Sequence, residues 1–156
     1  MLAADWSNLV VRTGWLFGGH MHASKNFVAK RIFEALAAKG GFITSNQEQR
    51  GCPTYVVDLA TCLLEMIQRG ARGVINCVNE GSASRFEYVR EIVTQTRLDI
   101  EVRPITAASF NRSAPVSNNE MAINWRAAEL GLPPMRSWQA ALGGYLASDD
   151  MRQMTP

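Results

Sequence analysis

Cysteine is scarce in this sequence and odd in number: Cys52, Cys62 and Cys77 are the whole set, and no two stand in a C-x-x-C spacing. Such a set argues against a disulfide framework and against a zinc site, and leaves buried or idle thiols. Long apolar runs are also missing. None approaches the roughly 18 residues of a membrane span. The start, Met1-Leu2-Ala3-Ala4-Asp5, lacks the charged and apolar regions of a secretion signal, so the cytoplasm is the expected compartment. Charge of one sign is absent too. Sixteen Lys and Arg against fourteen Asp and Glu leave +2 with no basic block, which gives no electrostatic nucleic-acid surface. No internal repeat, low-complexity segment or linker divides the 156 residues. That length suits one domain with a real core.

What is present is organised around Asn46 to Gln68, NQEQRGCPTYVVDLATCLLEMIQ. Gly51-Cys52-Pro53 reads as a turn, and beyond it Val56, Leu59, Ala60, Leu63, Leu64 and Ile67 recur at the spacing of a buried helix face. A loop anchored on a buried helix gives a rigid frame to Gln49, Arg50 and Thr54, side chains of the kind that hold an anionic ligand. A plain surface turn before a helix fits the same spacing.

In chain order, Leu9 to Phe17 predicts a buried strand closing in Gly18-Gly19. After a loop over His20 to Lys25, a helix is expected with Val28, Ala29, Ile32, Phe33 and Leu36 on its apolar side, ending at Gly40-Gly41. Phe42 to Ser45 is a short strand and Val74 to Val78 a second buried one. Ser84 and Glu87 have capping-box spacing for a helix to about Thr96, with Phe86, Val89 and Val93 as its buried stripe. Ile100 to Ile105 alternates as a half-exposed strand, and Pro104 assigns it an edge. Thr106 to Asn119 reads mostly as loop. Ser117 and Glu120 repeat the capping-box spacing before a short helix ended by Gly131-Leu132-Pro133-Pro134, and a last helix starts at Ser137. Asp58 and Glu65 read as solvated helix charges, and His20-Met21-His22 as a loop without a third metal ligand. The expectation is one α/β unit over residues 1–148 with a fraying tail over 149–156.

Val11-Arg12-Thr13-Gly14-Trp15-Leu16-Phe17-Gly18, then Asn26-Phe27, then Gln49-x-Gly51-x-Pro53-Thr54 with Asp58-Leu59-Ala60, resembles the C-terminal half of dTDP-4-dehydrorhamnose reductases. These belong to the extended short-chain dehydrogenase/reductase superfamily. The similarity runs from about Leu9 to Leu146. It implies the C-terminal portion of that fold: partial Rossmann sheet strands plus a small mixed α/β substrate lobe. It also implies that an N-terminal Rossmann half supplies NAD(P) binding and the catalytic Tyr-x-x-x-Lys pair. In this sequence Tyr55, Tyr88 and Tyr145 are followed four residues later by Leu59, Ile92 and Asp149, and no G-x-x-G-x-x-G or G-x-G-x-x-G turn exists. The chain alone is therefore expected to hold no cofactor and to reduce nothing, and NAD(P) enters only with the other half.

The resemblance makes Trp15, Asn26, Gln49, Arg50, Thr54 and Arg112 the candidate substrate contacts, with no catalytic, cofactor or metal residue. The Trp15 indole is open between stacking on a base and packing the core. Asn26 is open between a sugar diphosphate and a helix cap. Gln49 and Thr54 are open between ligand and loop shape. Arg112 carries a guanidinium that grips a diphosphate, although the family's Arg-Pro is split here into Arg112-Ser113-Ala114-Pro115. Arg50 rests on its charge. Three functions follow. The first is the dTDP-sugar-binding part of a reductase or epimerase, truncated and completed by a missing Rossmann half. The others are a stand-alone module that pairs with itself, and a structural partner of a complete reductase without ligand. Strands apolar on both faces need a cover, so a homo-oligomer, in the simplest case a dimer, is expected.

Overall fold

The computed structural model describes residues 7–38, 41–106 and 117–151. The extended run expected over residues 9–17 breaks into β1 (Leu9–Arg12) and β2 (Trp15–Phe17). Gly14 lies at the break, so close to Cys52 that a Cβ there would sit 2.0 Å from the Cys52 carbonyl oxygen. The Trp15 amide donates to that same oxygen over 2.8 Å. One stretch of chain can thereby serve two ladders: β1 runs parallel to β6 (Gly73–Asn76), and β2 parallel to β5 (Pro53–Tyr55).

The expected turn at Gly51-Cys52-Pro53 is extended instead, with Cys52 standing between β4 (Arg50–Gly51) and β5. Ladder bonds to two neighbours hold it open. Residues of β4 pair antiparallel with β7 (Ala83–Ser84) and parallel with β9 (Asn119–Glu120). A further parallel pair joins β3 (Phe42–Asn46) to β8 (Glu101–Ile105), where Pro104 stands in an outer strand whose one partner among the described residues is β3.

Helices α1 (Phe27–Ala37), α2 (Val56–Gln68), α3 (Arg85–Thr96), α4 (Trp125–Glu129) and α5 (Trp138–Leu146) are the remaining elements among the described residues. Local chemistry starts three of them. Asn26, Ser84 and Ser137 each accept a first-turn backbone amide, and at Ser84 the full reciprocal box with Glu87 is formed. The second expected box fails. Ser117 hydrogen-bonds within its own turn to Asn119, Arg50 donates its amide to the Asn118 carbonyl, and Asn119–Glu120 becomes a strand.

Among the described residues, three patches of core lie between these elements. One gathers Phe17, Tyr88, Trp138, Leu142 and Tyr145; a second joins Cys62, Met66, Ile75, Cys77 and Leu132; a third packs Ala35 and Ile43 on Val89 and Val93. The expected helix faces shift accordingly. On α1 Ala35 is buried while Phe33 and Leu36 are exposed, and α3 buries Tyr88 and Ile92 rather than Phe86, which is half-buried. On α2 the inner face is Cys62 and Met66, whereas Leu64 and Ile67 each remain 62% exposed. Apolar residues cover most of α2's circumference, so the β1–β6 ladder, not periodicity, selects which side turns in. At the C-terminal end Met151 is fully buried, so the fray expected from Asp149 does not reach that residue. No described helix is long and apolar enough to cross a membrane.

Candidate functional site

The β2–β5 ladder sets Trp15 opposite Pro53 and Leu16 opposite Thr54, bringing together two sequence stretches almost forty residues apart. The loop before β4 is shaped by Asn46, whose side-chain oxygen accepts from the amides of Glu48 (2.7 Å) and Gln49 (3.0 Å). Gln49, itself buried, offers its carbonyl to the Arg85 amide over 3.0 Å, which fixes the first residue of α3. From there the Arg85 guanidinium reaches the Trp15 ring at 3.5 Å and stands 5.2 Å from the Phe27 ring. A cation at such a place is worth about 0.5–2 kcal/mol. The Trp15 indole donates to the Glu120 carboxylate over 2.5 Å, and Gly51 passes so close that a Cβ would lie 2.4 Å from ring atom Cε2.

Arg50 stands beside this group and contacts Glu87 over 3.0 Å, both side chains being about two-fifths exposed. The Ser84 amide donates to Glu87, and this bond, with Arg50 next to it, holds the Glu87 carboxyl below its usual range. Two guanidiniums, two carboxylates and one indole therefore meet where β2, β4, β7, β9 and α3 converge. A half-exposed ion pair is worth under about 1 kcal/mol, so an anionic ligand can displace Glu87 from Arg50 at little cost.

Of the six expected contacts, Trp15 and Arg50 belong to this group, and Gln49 is buried beside it with its backbone carbonyl on the Arg85 amide. Thr54 is on the same ladder but fully buried, its hydroxyl donating to the Cys52 carbonyl over 3.1 Å. Asn26 is buried and fully engaged. Its oxygen accepts from the Ala29 amide, and its nitrogen donates to the Gly19 and His20 carbonyls and to the Tyr145 hydroxyl at 2.6 Å. Arg112 lies outside the described residues. Arg85 and Glu120 are additions. A residue following an N-cap shows nothing in sequence of the ring it will stack on, and Glu120 has capping-box spacing that its strand overrides.

A second polar group ties α2 to the segment before α5. Asn79, fully buried, accepts from the Tyr55 amide (2.8 Å) and donates to Asp58 (2.8 Å) and to the Arg136 carbonyl (3.1 Å). Arg136 in turn makes a two-pronged contact with Asp58, which raises its already high pKa. Asp58 is thus a structural anchor and not the solvated charge expected. A cleft of about 190 Å³ opens beside it between Thr61, Glu65 and Pro134, and another of about 490 Å³ between Glu80, Asn124 and Trp125.

Among the described residues no group of three or more His, Cys, Asp or Glu side chains is placed to hold a metal ion. No glycine-rich turn carries a described strand directly into a helix. After β2 the left-handed Gly18 and Gly19 lead into a loop, and α1's first turn is already capped by Asn26. These residues do not fit a dinucleotide cradle.

Residues 1–151 match the family model described as the RmlD substrate binding domain. A dTDP-4-dehydrorhamnose reductase of Mycobacterium tuberculosis is 39% identical over 150 residues, covering 95% of this chain and 48% of that protein. Among solved structures, a Clostridium acetobutylicum dTDP-4-dehydrorhamnose reductase superposes with a TM-score of 0.82 at 28% identity, over 93% of this chain and 49% of the other. The Bacillus anthracis enzyme of the same name, in complex with NADP, gives 0.81 at 27% identity, over 88% and 47%. The chain spans about half the length of the curated relatives it matches.

Proposed function

Since the chain belongs to the RmlD substrate binding domain family, within the extended short-chain dehydrogenase/reductase superfamily, we propose that it is the dTDP-sugar-binding part of a 4-keto-sugar reductase. The observation that carries this reading is the Trp15–Arg85–Arg50 group: a flat aromatic edge and two guanidiniums on rigid backbone suit a ligand with a base and a diphosphate. Its part in the reaction is binding energy and orientation, which a positioned substrate converts into rate. No hydride step is assigned to the chain's own residues. NADP binding and the proton donor belong, on this reading, to a Rossmann half that completes the enzyme, and the chain alone is inactive.

Calorimetric titration of dTDP, with Arg50→Ala and Arg112→Ala beside the unaltered chain, tests the site. The expected result is saturable binding, at least about tenfold weaker in Arg50→Ala, a loss of about 1.4 kcal/mol. Absence of binding at millimolar dTDP, even after adding the N-terminal half of the M. tuberculosis relative, overturns it.

The exposed stripe of Val57, Leu64 and Ile67 on α2 favours a second reading, in which the module pairs with itself. Sedimentation equilibrium separates the two. A concentration-dependent dimer that the added half does not dissolve supports self-pairing, and a monomer that takes up one copy of that half supports the reductase reading.

A further inference from the structure

The cleft of about 490 Å³ between Glu80, Asn124 and Trp125 is within the roughly 300–1,000 Å³ range of small-molecule sites. Its floor is apolar, made by the buried Val78, Ala127 and Leu132. Its sides are pinned. The Asn124 side chain donates to the Val78 carbonyl at 2.7 Å and accepts from the Val78 amide at 2.9 Å. The Glu80 amide donates to the Arg136 carbonyl, and the Glu80 carbonyl accepts from the Trp138 amide, each over 3.0 Å. The cleft is thereby formed before any ligand arrives, which lowers the cost of binding. Its polar side chains are nearly all engaged. Asn124 is occupied as above, and Asn79 by Tyr55, Asp58 and Arg136. The Arg126 and Arg136 guanidiniums are outside the wall, held by the Val74 and Arg72 carbonyls and by Asp58. Glu80 is then the one charged side chain of the wall among the described residues, exposed and without an ion pair or side-chain hydrogen bond there. Trp125 is 65% exposed and meets no ring or cation among the described residues, whereas Trp15 has Arg85 and Trp138 has Tyr88.

We propose that this cleft binds a small organic ammonium ion with an apolar body. The charge argument selects among ligands. An anion meets the Glu80 carboxylate, a neutral polar molecule finds no side-chain amide left to bond, and a cation gains from both Glu80 and the Trp125 indole. An apolar body removes water from the floor, where Val78 and Leu132 offer no polar group. The cleft shares no wall residue with the Trp15–Arg85–Arg50 group, so the assignment stands whether or not that group takes a dTDP sugar.

The test titrates the full chain with three probes of similar shape: 2-phenylethylammonium, 2-phenylethanol and 3-phenylpropionate. The readout is the nitrogen–proton correlation of the Trp125 indole, assigned by its loss in Trp125→Phe. The expected outcome is a saturable shift of that signal, with the ammonium bound at least about tenfold more tightly than the carboxylate and the alcohol between them. In Glu80→Gln the ammonium is expected to lose about threefold to fivefold while the alcohol is unchanged, and added salt to narrow the preference in the parent. Equal affinity for ammonium and carboxylate overturns the proposal. So does an ammonium affinity indifferent to Glu80→Gln, or a Trp125 signal that does not move at millimolar probe. Both substituted side chains are exposed, and should either variant still fail to fold, the order of the three probes on the unaltered chain decides alone.

Discussion

Asp58 and Arg136, 78 residues apart, share two parallel hydrogen bonds of 2.8 Å. One Asp58 oxygen also takes the buried Asn79 amide group. The contact is asymmetric in what its loss exposes. Removing Arg136 leaves a carboxylate with 18% side-chain exposure that still accepts from Asn79, whereas removing Asp58 strands an Asn79 donor in the interior. Unsatisfied buried donors cost more than lost half-exposed ion pairs. Asp58→Ala is therefore expected to lower stability by about 1–3 kcal/mol and Arg136→Ala by about 1 kcal/mol or less. Urea unfolding reads the difference as a larger fall in midpoint at unchanged slope, and equal losses would refute the asymmetry.

Gly51 supports Trp15 by having no side chain. With an added Cβ placed 2.4 Å from a rigid indole atom, Gly51→Ala forces the ring or β4 to move. Overpacking of this kind costs about 1–3 kcal/mol. The ring's displacement is also expected to break its contacts with Glu120 and Arg85, so the variant's tryptophan emission shifts and dTDP binding weakens together. An unshifted spectrum with normal binding would show that Trp15 is not held by Gly51.

How much of this was legible beforehand follows the range of each interaction. The Ser84–Glu87 box and the Ser137 cap span three residues, so local spacing finds them. Identical spacing at Ser117 and Glu120 misleads because the Arg50 amide, almost seventy residues away, takes the Asn118 carbonyl and draws the segment into a ladder. The break at Gly14 depends on Cys52 for the same reason, and Asp58 looks solvated until Asn79 and Arg136 arrive. At the candidate site, Trp15 stands out through its motif and Arg50 only through its charge. Arg85, which stacks on Trp15, carries no mark of that position in its own neighbourhood.

Glu87 gives a pH test. The Ser84 amide bond comes first and Arg50 next in depressing its folded pKa. A depressed carboxyl contributes stability above its unfolded pKa of roughly 4.3, and that contribution is lost as pH falls through the folded value. Glu87→Gln keeps an acceptor for Ser84 but does not titrate. Its stability relative to the parent is expected to be lower at pH 7 and to converge with it on acidification, by a modest amount because the group is partly exposed. A constant difference between pH 7 and pH 3 in thermal unfolding would contradict the assignment.

The outer face of α2 offers the sharpest test of the proposed docking with an N-terminal half. Among the described residues β1 has one neighbour, β6. On β6, Arg126 donates to the Val74 carbonyl at 3.1 Å and Asn76 to the Ile123 carbonyl at 3.0 Å, so α4 and the residues before it already cover that strand's side. A parallel pair of strands is ordinarily part of a larger sheet with helices on both faces, which makes β1 the side where a further strand can add. The α2 stripe of Val57, Leu64 and Ile67, more than half exposed at each position, would then lie against the incoming half. Exposed substitutions away from special features change stability by about 0.5 kcal/mol or less. Leu64→Glu with Ile67→Glu is therefore expected to leave the isolated chain's unfolding midpoint in place. The same pair of carboxylates buried in a docked interface loses hydration without partners, so capture of the separately expressed N-terminal half of the M. tuberculosis relative should drop at least about a hundredfold, or 2.7 kcal/mol. Equal capture by both proteins would remove α2 from the interface and leave the edge of β1 to account for it, a possibility that Val11→Pro then examines, because proline deletes a backbone donor from that strand.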